Sequence, residues 1–156
     1  MKKLNISLII LLILSSKILA SEISGIPVIT DGDTIKIFNT RIRFHGIDAP
    51  EKKQLCIKNL TEYNCGKEAT DALVNKIDGK KVLCKAQDRL DRYKRYIGVC
   101  FVGEVNLNKW MVRNGYAVAF RRYSKDYIKD ENYAKKNKLG LWSGSFIHPE
   151  KWRKLN

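Results

Sequence analysis

Two short acidic clusters stand out against a basic chain. Asp31-Gly32-Asp33-Thr34 and Asp48-Ala49-Pro50-Glu51 flank a stretch that carries Arg41, Arg43 and His45. Taken singly, Asp-Gly before a strand is a good turn, and the second cluster is a helix cap or a solvated loop. Taken together, carboxylates at the ends of neighbouring strands make an oxygen-rich corner for a hard cation such as calcium, with Asp33 and Asp48 as ligands. Arg43 lies five residues before Asp48, and Arg95 closes Asp91-Arg92-Tyr93-Lys94-Arg95. Guanidinium forks bind phosphate oxygens bidentately and follow the negative charge that grows on a phosphodiester under attack. Glu51 would orient or deprotonate the attacking water. Only two histidines occur, His45 and His148. That count excludes zinc sites built on several histidines, H-E-x-x-H proteases and paired-histidine phosphodiester chemistry.

The elements that must position these groups follow from periodicity. Residues 26–29, 34–38 and 41–47 read as a three-stranded meander with turns at Asp31-Gly32-Asp33 and Asn39-Thr40, so Asp33 and Asp48 fall at adjacent strand ends. Residues 65–77 read as a helix on Ala69, Leu73 and Ile77, stopped by Asp78-Gly79. Residues 81–87 and 96–102 read as a hairpin centred on Arg92. This register sets Cys84 opposite Cys100 and Ala86 opposite Gly98. A short helix over 107–114 ends at Gly115, and a further helix runs from a Ser124 cap to Lys138 with a stop at Gly140. Five short strands with a helix after the third predict an α+β fold, a closed five-stranded Greek-key barrel of the OB type with three α-helices.

The chain has 156 residues and a formal net charge of +14, which is one domain's worth of chain. Residues 1–20 begin Met1-Lys2-Lys3, continue through an apolar run from Leu4 to Leu14 and end at Ala20-Ser21. This is the pattern of a cleaved secretory signal, too short for the ~20 residues of a membrane span. Removing it deletes three lysines and no acid, leaving +11 on a single domain of residues 21–156. So basic a domain, exported to the periplasm or the medium, expects a polyanionic partner. Export also favours disulfides. The hairpin register selects Cys84–Cys100, which leaves Cys56 to pair with Cys65.

In order and spacing, Asp31-Gly32-Asp33-Thr34, Arg43 through Ile47-Asp48-Ala49-Pro50-Glu51, and Asp91-Arg92-Tyr93-Lys94-Arg95 resemble the staphylococcal nuclease (thermonuclease) family. Val112-Arg113-Asn114-Gly115-Tyr116-Ala117, Gly140-Leu141-Trp142 and the closing Pro149 to Trp152-Arg153 agree with it. The likeness covers about residues 25 to 153. It implies an OB-fold barrel with three helices and a calcium-dependent endonuclease that acts on DNA and RNA and leaves 3′-phosphate ends. Carried over, Asp33, Asp48 and the main-chain carbonyl of Ala49 are the calcium ligands, and Arg43, Arg95 and Glu51 are the catalytic groups. Arg92 and Tyr93 contact nucleotide phosphate and base, with Phe120, Arg122 and Tyr123 lining the same groove. Lys94 departs from the family pattern, which has glycine there; at a positive φ, lysine costs roughly 1 kcal/mol or more.

Two other readings use the same residues. A non-catalytic OB-fold module would stack bases on Tyr93, Phe120 and Tyr123, but it has no use for acids in register at positions 33, 48 and 51. A cationic membrane-active protein needs a basic amphipathic helix, and Asp126, Asp130 and Glu131 dilute the 125–138 face. The favoured expectation is a monomeric nuclease, preferring single strands, with no stable membrane association once the leader is removed.

Overall fold

The computed structural model describes residues 21–156; the expected leader, residues 1–20, lies outside the described residues. The main sheet contains β1 (Ser21–Gly25), β2 (Pro27–Asp31), β3 (Thr34–Ile37) and β4 (Thr40–Phe44). After a two-residue β5 (Ile47–Asp48) come the hairpin β6 (Leu55–Lys58) and β7 (Thr61–Asn64) and the helix α1 (Cys65–Ile77). Then follow β8 (Val82–Leu90), β9 (Tyr96–Val102), β10 (Val105–Asn106), α2 (Leu107–Arg113), β11 (Val118–Ala119) and α3 (Ile128–Lys136). A 3-10 turn (Gly140–Ser143) and α4 (Pro149–Leu155) complete the chain.

Strand order in the sheet is β1-β8-β9-β4-β3-β2, with β10 added beside β9. The first and last strands of that path are one stretch of chain, residues 21–31, interrupted only at Ile26. The sheet therefore curls back on itself as an OB-type barrel. All its pairings are antiparallel except β4 against β9, which is parallel through Ile42↔Tyr96, Arg43↔Ile97 and Phe44↔Gly98. That pairing brings the Arg43 strand and the strand that follows Arg95 together.

Alternation explains the core. Ile35, Ile37, Ile42 and Phe44 are buried with Val82, Cys84, Cys100 and Val102, and α1 closes that interior with Ala69, Leu73 and Ile77. Asn64 caps α1 by accepting from the Lys67 N–H at 2.8 Å, and the expected helix limits are met. The hairpin register is as expected, with Cys84↔Cys100 and Ala86↔Gly98 paired. Both expected disulfides are present, Cys84–Cys100 and Cys56–Cys65, and no cysteine is free among the described residues.

Five features differ from the sequence reading. The first strand begins at Ser21 rather than Ile26, because its first half pairs with β8. The hairpin β6–β7 interrupts what reads as a loop. The third helix starts at Ile128 with no side-chain cap, because the Ser124 hydroxyl accepts from the Asp126 N–H in a turn. The chain leaves α3 through Lys138 at a φ of 52°, so Gly140 opens the following turn instead of ending the helix. A fourth helix, α4, is added to the expected three. Among the described residues no helix is long and apolar enough to cross a membrane.

Candidate active site

Asp33 is placed by the tight reversal between β2 and β3, where Asp31 Oδ1 accepts from the Asp33 N–H at 3.0 Å. The turn must lie against the 48–51 loop. A Cβ on Gly32 would come within 2.8 Å of the Ala49 Cβ, so only glycine permits the approach. The two loops are then tied directly, since the Ala49 N–H donates to Asp33 Oδ2 at 2.7 Å. Thr34 holds the other oxygen, its hydroxyl donating to Asp33 Oδ1 at 3.1 Å. Asp33 and Asp48 thus lie side by side at the ends of their strands, and both are buried, Asp48 at 1% exposure.

Arg43, on β4, reaches both acids: one end of its guanidinium pairs with Asp33 and the other donates to Asp48 Oδ1 at 2.8 Å. Its burial lowers the pKa, opposed chiefly by the Asp48 charge. Arg95 comes from the β8–β9 turn. Asp91 orients it, accepting from the Arg95 backbone N–H and Nε at 2.9 Å each, and these bonds outweigh burial and keep the Asp91 carboxyl below its ordinary pKa. Arg95 also donates to the Thr34 hydroxyl at 3.4 Å, so one chain of hydrogen bonds runs from Arg95 through Thr34 to Asp33. Lys94 has a φ of 58°, in the left-handed region that favours glycine. The turn nevertheless keeps its Lys94 N–H to Asp91 carbonyl bond at 3.0 Å, and Arg95 is in place.

Glu51 is braced from behind. Its carbonyl accepts from the Gln54 N–H at 2.7 Å, and its own N–H donates to Gln54 Oε1 at 3.3 Å. The amino end of α1 sits so close that a Cβ on Gly66 would lie 1.8 Å from the Glu51 carbonyl oxygen. In front, Glu51 Oε1 accepts from Arg153, on α4, at 2.8 Å. The same guanidinium takes Asp48 in a two-pronged bond, 3.0 Å to each carboxylate oxygen. Burial disfavours its charge, but the bonds to Asp48 and Glu51 prevail and raise the pKa.

The groups expected to bind nucleotides fall on two sides of this corner. Tyr93 lies beneath the guanidinium groups of Arg92 and Arg95, at 4.7 and 5.1 Å from its ring centroid. Across the corner, β11 pairs with β5 through Val118↔Asp48, so the chain emerges at Phe120 along the rim, with the Phe120 N–H donating to the Gly46 carbonyl at 2.9 Å. Phe120 and Tyr123 meet edge to face, and Arg122 pairs with Glu150 at 3.3 Å. No ring pairing joins Tyr93 to Phe120 or Tyr123 among the described residues.

The donor set suits a hard cation, because Asp33 and Asp48 present converging carboxylate oxygens and a positive group already bridges Asp48 and Glu51. Among the described residues no three His, Cys, Asp or Glu side chains form a ready-made cage. A cation here would rely on two carboxylates, a main-chain oxygen and water. Sequence reasoning missed Gln54 and the active-site placement of Arg153. The first carries no motif, and the second closes the Pro149–Arg153 stretch without any pattern linking it to Asp48. Asp31 is also part of the site; burial raises its pKa, with Arg43 the main opposing influence.

Residues 41–144 match the family described as staphylococcal nuclease homologue, a span that stops short of both Asp33 and Arg153. An uncharacterized endonuclease of Escherichia coli is 36% identical over 154 residues, covering 93% of this chain and 94% of that protein. A succinoglycan biosynthesis protein of Rhizobium meliloti is 34% identical over 133 residues, 83% of this chain and 69% of its own. A staphylococcal-like nuclease of Arabidopsis thaliana is 37% identical over 121 residues, 73% of this chain but 33% of the plant protein. With the OB-type barrel and the arginine–carboxylate corner in hand, the chain belongs to the staphylococcal nuclease family.

Proposed function

We propose that the protein is an exported, calcium-dependent endonuclease that hydrolyses DNA and RNA, preferring single strands and leaving 3′-phosphate ends. The observation that carries this reading is the meeting of Arg43, Arg95, Asp33, Asp48 and Glu51 in one corner, linked by Thr34 and Arg153. Asp33, Asp48 and the Ala49 carbonyl would hold calcium, which supplies a Lewis acid to polarise a phosphoryl oxygen. Arg43 and Arg95 grip the non-bridging oxygens as charge builds on them. Glu51, fixed by Gln54 and Gly66, orients the water and takes its proton. The water oxygen bonds to phosphorus, the bond to the 5′ oxygen breaks as that oxygen takes a proton from solvent to become a hydroxyl, and phosphate stays on the 3′ side. Arg92 and Tyr93 on one side, and Phe120, Arg122 and Tyr123 on the other, offer cation and ring surfaces suited to splayed bases. Two disulfides fit an oxidising compartment, in keeping with export. The mature domain is proposed to act as a monomer with no stable membrane association.

The test is cleavage of single-stranded DNA and RNA by the purified protein, in calcium and in chelator. Activity in calcium alone is expected, and Glu51→Gln or Arg95→Ala should lower kcat by roughly 10²–10³ with little change in binding. Binding without cleavage in the unaltered protein would instead favour the non-catalytic module.

A further inference from the structure

The third guanidinium of the corner comes from the end of the chain. Arg153 lies 105 residues from Asp48 in sequence, on the last helix, and beyond residues 41–144 that the family match spans. Its delivery is elaborate. Ile57 and Ser145 exchange two backbone hydrogen bonds of 2.9 Å, which fastens the strap after the 3-10 turn to β6. The buried Gln54, already braced against Glu51, donates to the Ile147 carbonyl at 2.6 Å. The Trp142, Phe146 and His148 rings pack along the same strap, and Arg122 holds Glu150 on α4. The backbone that bears Arg153 is therefore anchored at both β6 and the rim.

Where Arg153 lands matters as much. Both oxygens of Asp48 accept from it, and Asp48 Oδ1 also accepts from Arg43. A calcium ion needs ligand oxygens at about 2.3–2.6 Å, in the lone-pair directions that these donors occupy. Of the two arginines, Arg43 is the enclosed one, its side chain 11% exposed, whereas Arg153 is 36% exposed and opens to solvent. Arg153 is the partner that can leave.

We propose that Arg153 is a tethered, displaceable counter-ion of the Asp48–Glu51 corner, so that a divalent cation at Asp33 and Asp48 and the seated Arg153 exclude one another. This rests on the cation reading of that corner. Without cation, Arg153 neutralises the acids and keeps the site closed to adventitious positive groups. With cation, Arg153 swings off Asp48 while the strap holds it at the rim, within reach of Glu51 or of an incoming phosphate. Because the strap keeps its local concentration high, the seated form competes with calcium and lowers its apparent affinity by the fraction of molecules closed.

Calorimetric titration of calcium into the full-length protein and its variants tests this. Arg153→Gln should bind calcium about tenfold more tightly, and Arg153→Lys, which keeps the charge but loses the fork, about threefold. Lys154→Gln removes the same charge one residue away, at a side chain that pairs with Glu150, and should match the unaltered protein. Hydrogen exchange on the unaltered protein gives an independent readout: calcium should speed exchange in residues 149–155. Equal affinity for Arg153→Gln and the unaltered protein, equal tightening by Lys154→Gln, or unchanged exchange in α4 overturns the proposal while leaving the cation site intact. Absence of calcium binding in both the unaltered protein and Arg153→Gln overturns the cation reading and this inference with it.

Discussion

Asp48 and Glu131 are both buried carboxylates served by two cationic side chains, yet they are built for opposite ends. Glu131 is sealed by near neighbours: the Ala119 N–H at 3.1 Å, Arg121 at 2.5 Å and Lys135, one turn along α3, at 2.8 Å. Each of its oxygens is spoken for within residues 119–135, and the result is a lock that fixes β11 to α3. Asp48 draws its partners from β4 and from the far terminus, and it shares Arg43 with Asp33. The ingredients are the same. What separates a structural knot from a reactive corner is the origin of the counter-charges: Arg121 and Lys135, although 46% and 41% exposed, come from the segments that Glu131 ties together, whereas Arg153 comes from a distant helix held by the strap.

The sharpest way to break this comparison is to neutralise each acid. Glu131→Gln should cost about 3 kcal/mol of stability, because it strips two charge-assisted bonds from a fully enclosed carboxylate. Asp48→Asn should cost about 2 kcal/mol, since Arg153 returns to water but Arg43 loses the charge that chiefly offsets its burial, while activity collapses. Urea unfolding decides it; equal losses would erase the distinction.

Acid titration sharpens it further. Burial acts to raise the Glu131 pKa, but the bonds from Arg121, Lys135 and the Ala119 N–H win and lower it. A folded-state pKa below the unfolded one contributes stability that is full above the unfolded value of about 4.5 and is lost as pH falls through the depressed value. Asp91 behaves alike, whereas Asp31, raised by burial, has the opposite sign and is relieved as acid is added. Denaturant midpoints measured downward from pH 7 should therefore fall below about pH 4.5, and Glu131→Gln should flatten that limb. An unaltered limb in the variant would assign the acid sensitivity elsewhere.

The smallest effect concerns the turn beside Arg95. Lys94→Gly removes the steric cost of a φ of 58° and should raise stability by roughly 0.5–1 kcal/mol, read as a shift in thermal midpoint. A loss of stability would show that the lysine itself supports the turn.

How far the sequence reaches follows the same division between near and far. The cystine-bearing hairpin and α1 were legible because their signals are local: symmetric spacing about Arg92, and apolar residues every fourth position. The acidic clusters were legible because strand ends joined by a short turn must be neighbours. The hairpin β6–β7 was not, since Leu55, Ile57 and Leu60 face outward and its turn places Asn59 and Leu60 at positive φ without a glycine. Nor was α4, whose Pro149–Leu155 sequence has one buried residue, Pro149, and owes its position to the strap. Arg153 could be matched to a family ending but not to a partner, because nothing local pairs residue 153 with residue 48.

The doubled role of residues 21–31 has a consequence for biosynthesis. This stretch supplies both outer strands of the sheet path, and its first half finds a partner only when β8 has been made. Until residues 82–102 emerge, β1 and the β2–β4 meander expose unpaired backbone edges of the kind that invite neighbouring chains to join. Products that stop short of β9 should accordingly clump, whereas loss of α4 leaves every strand of the barrel with its mate.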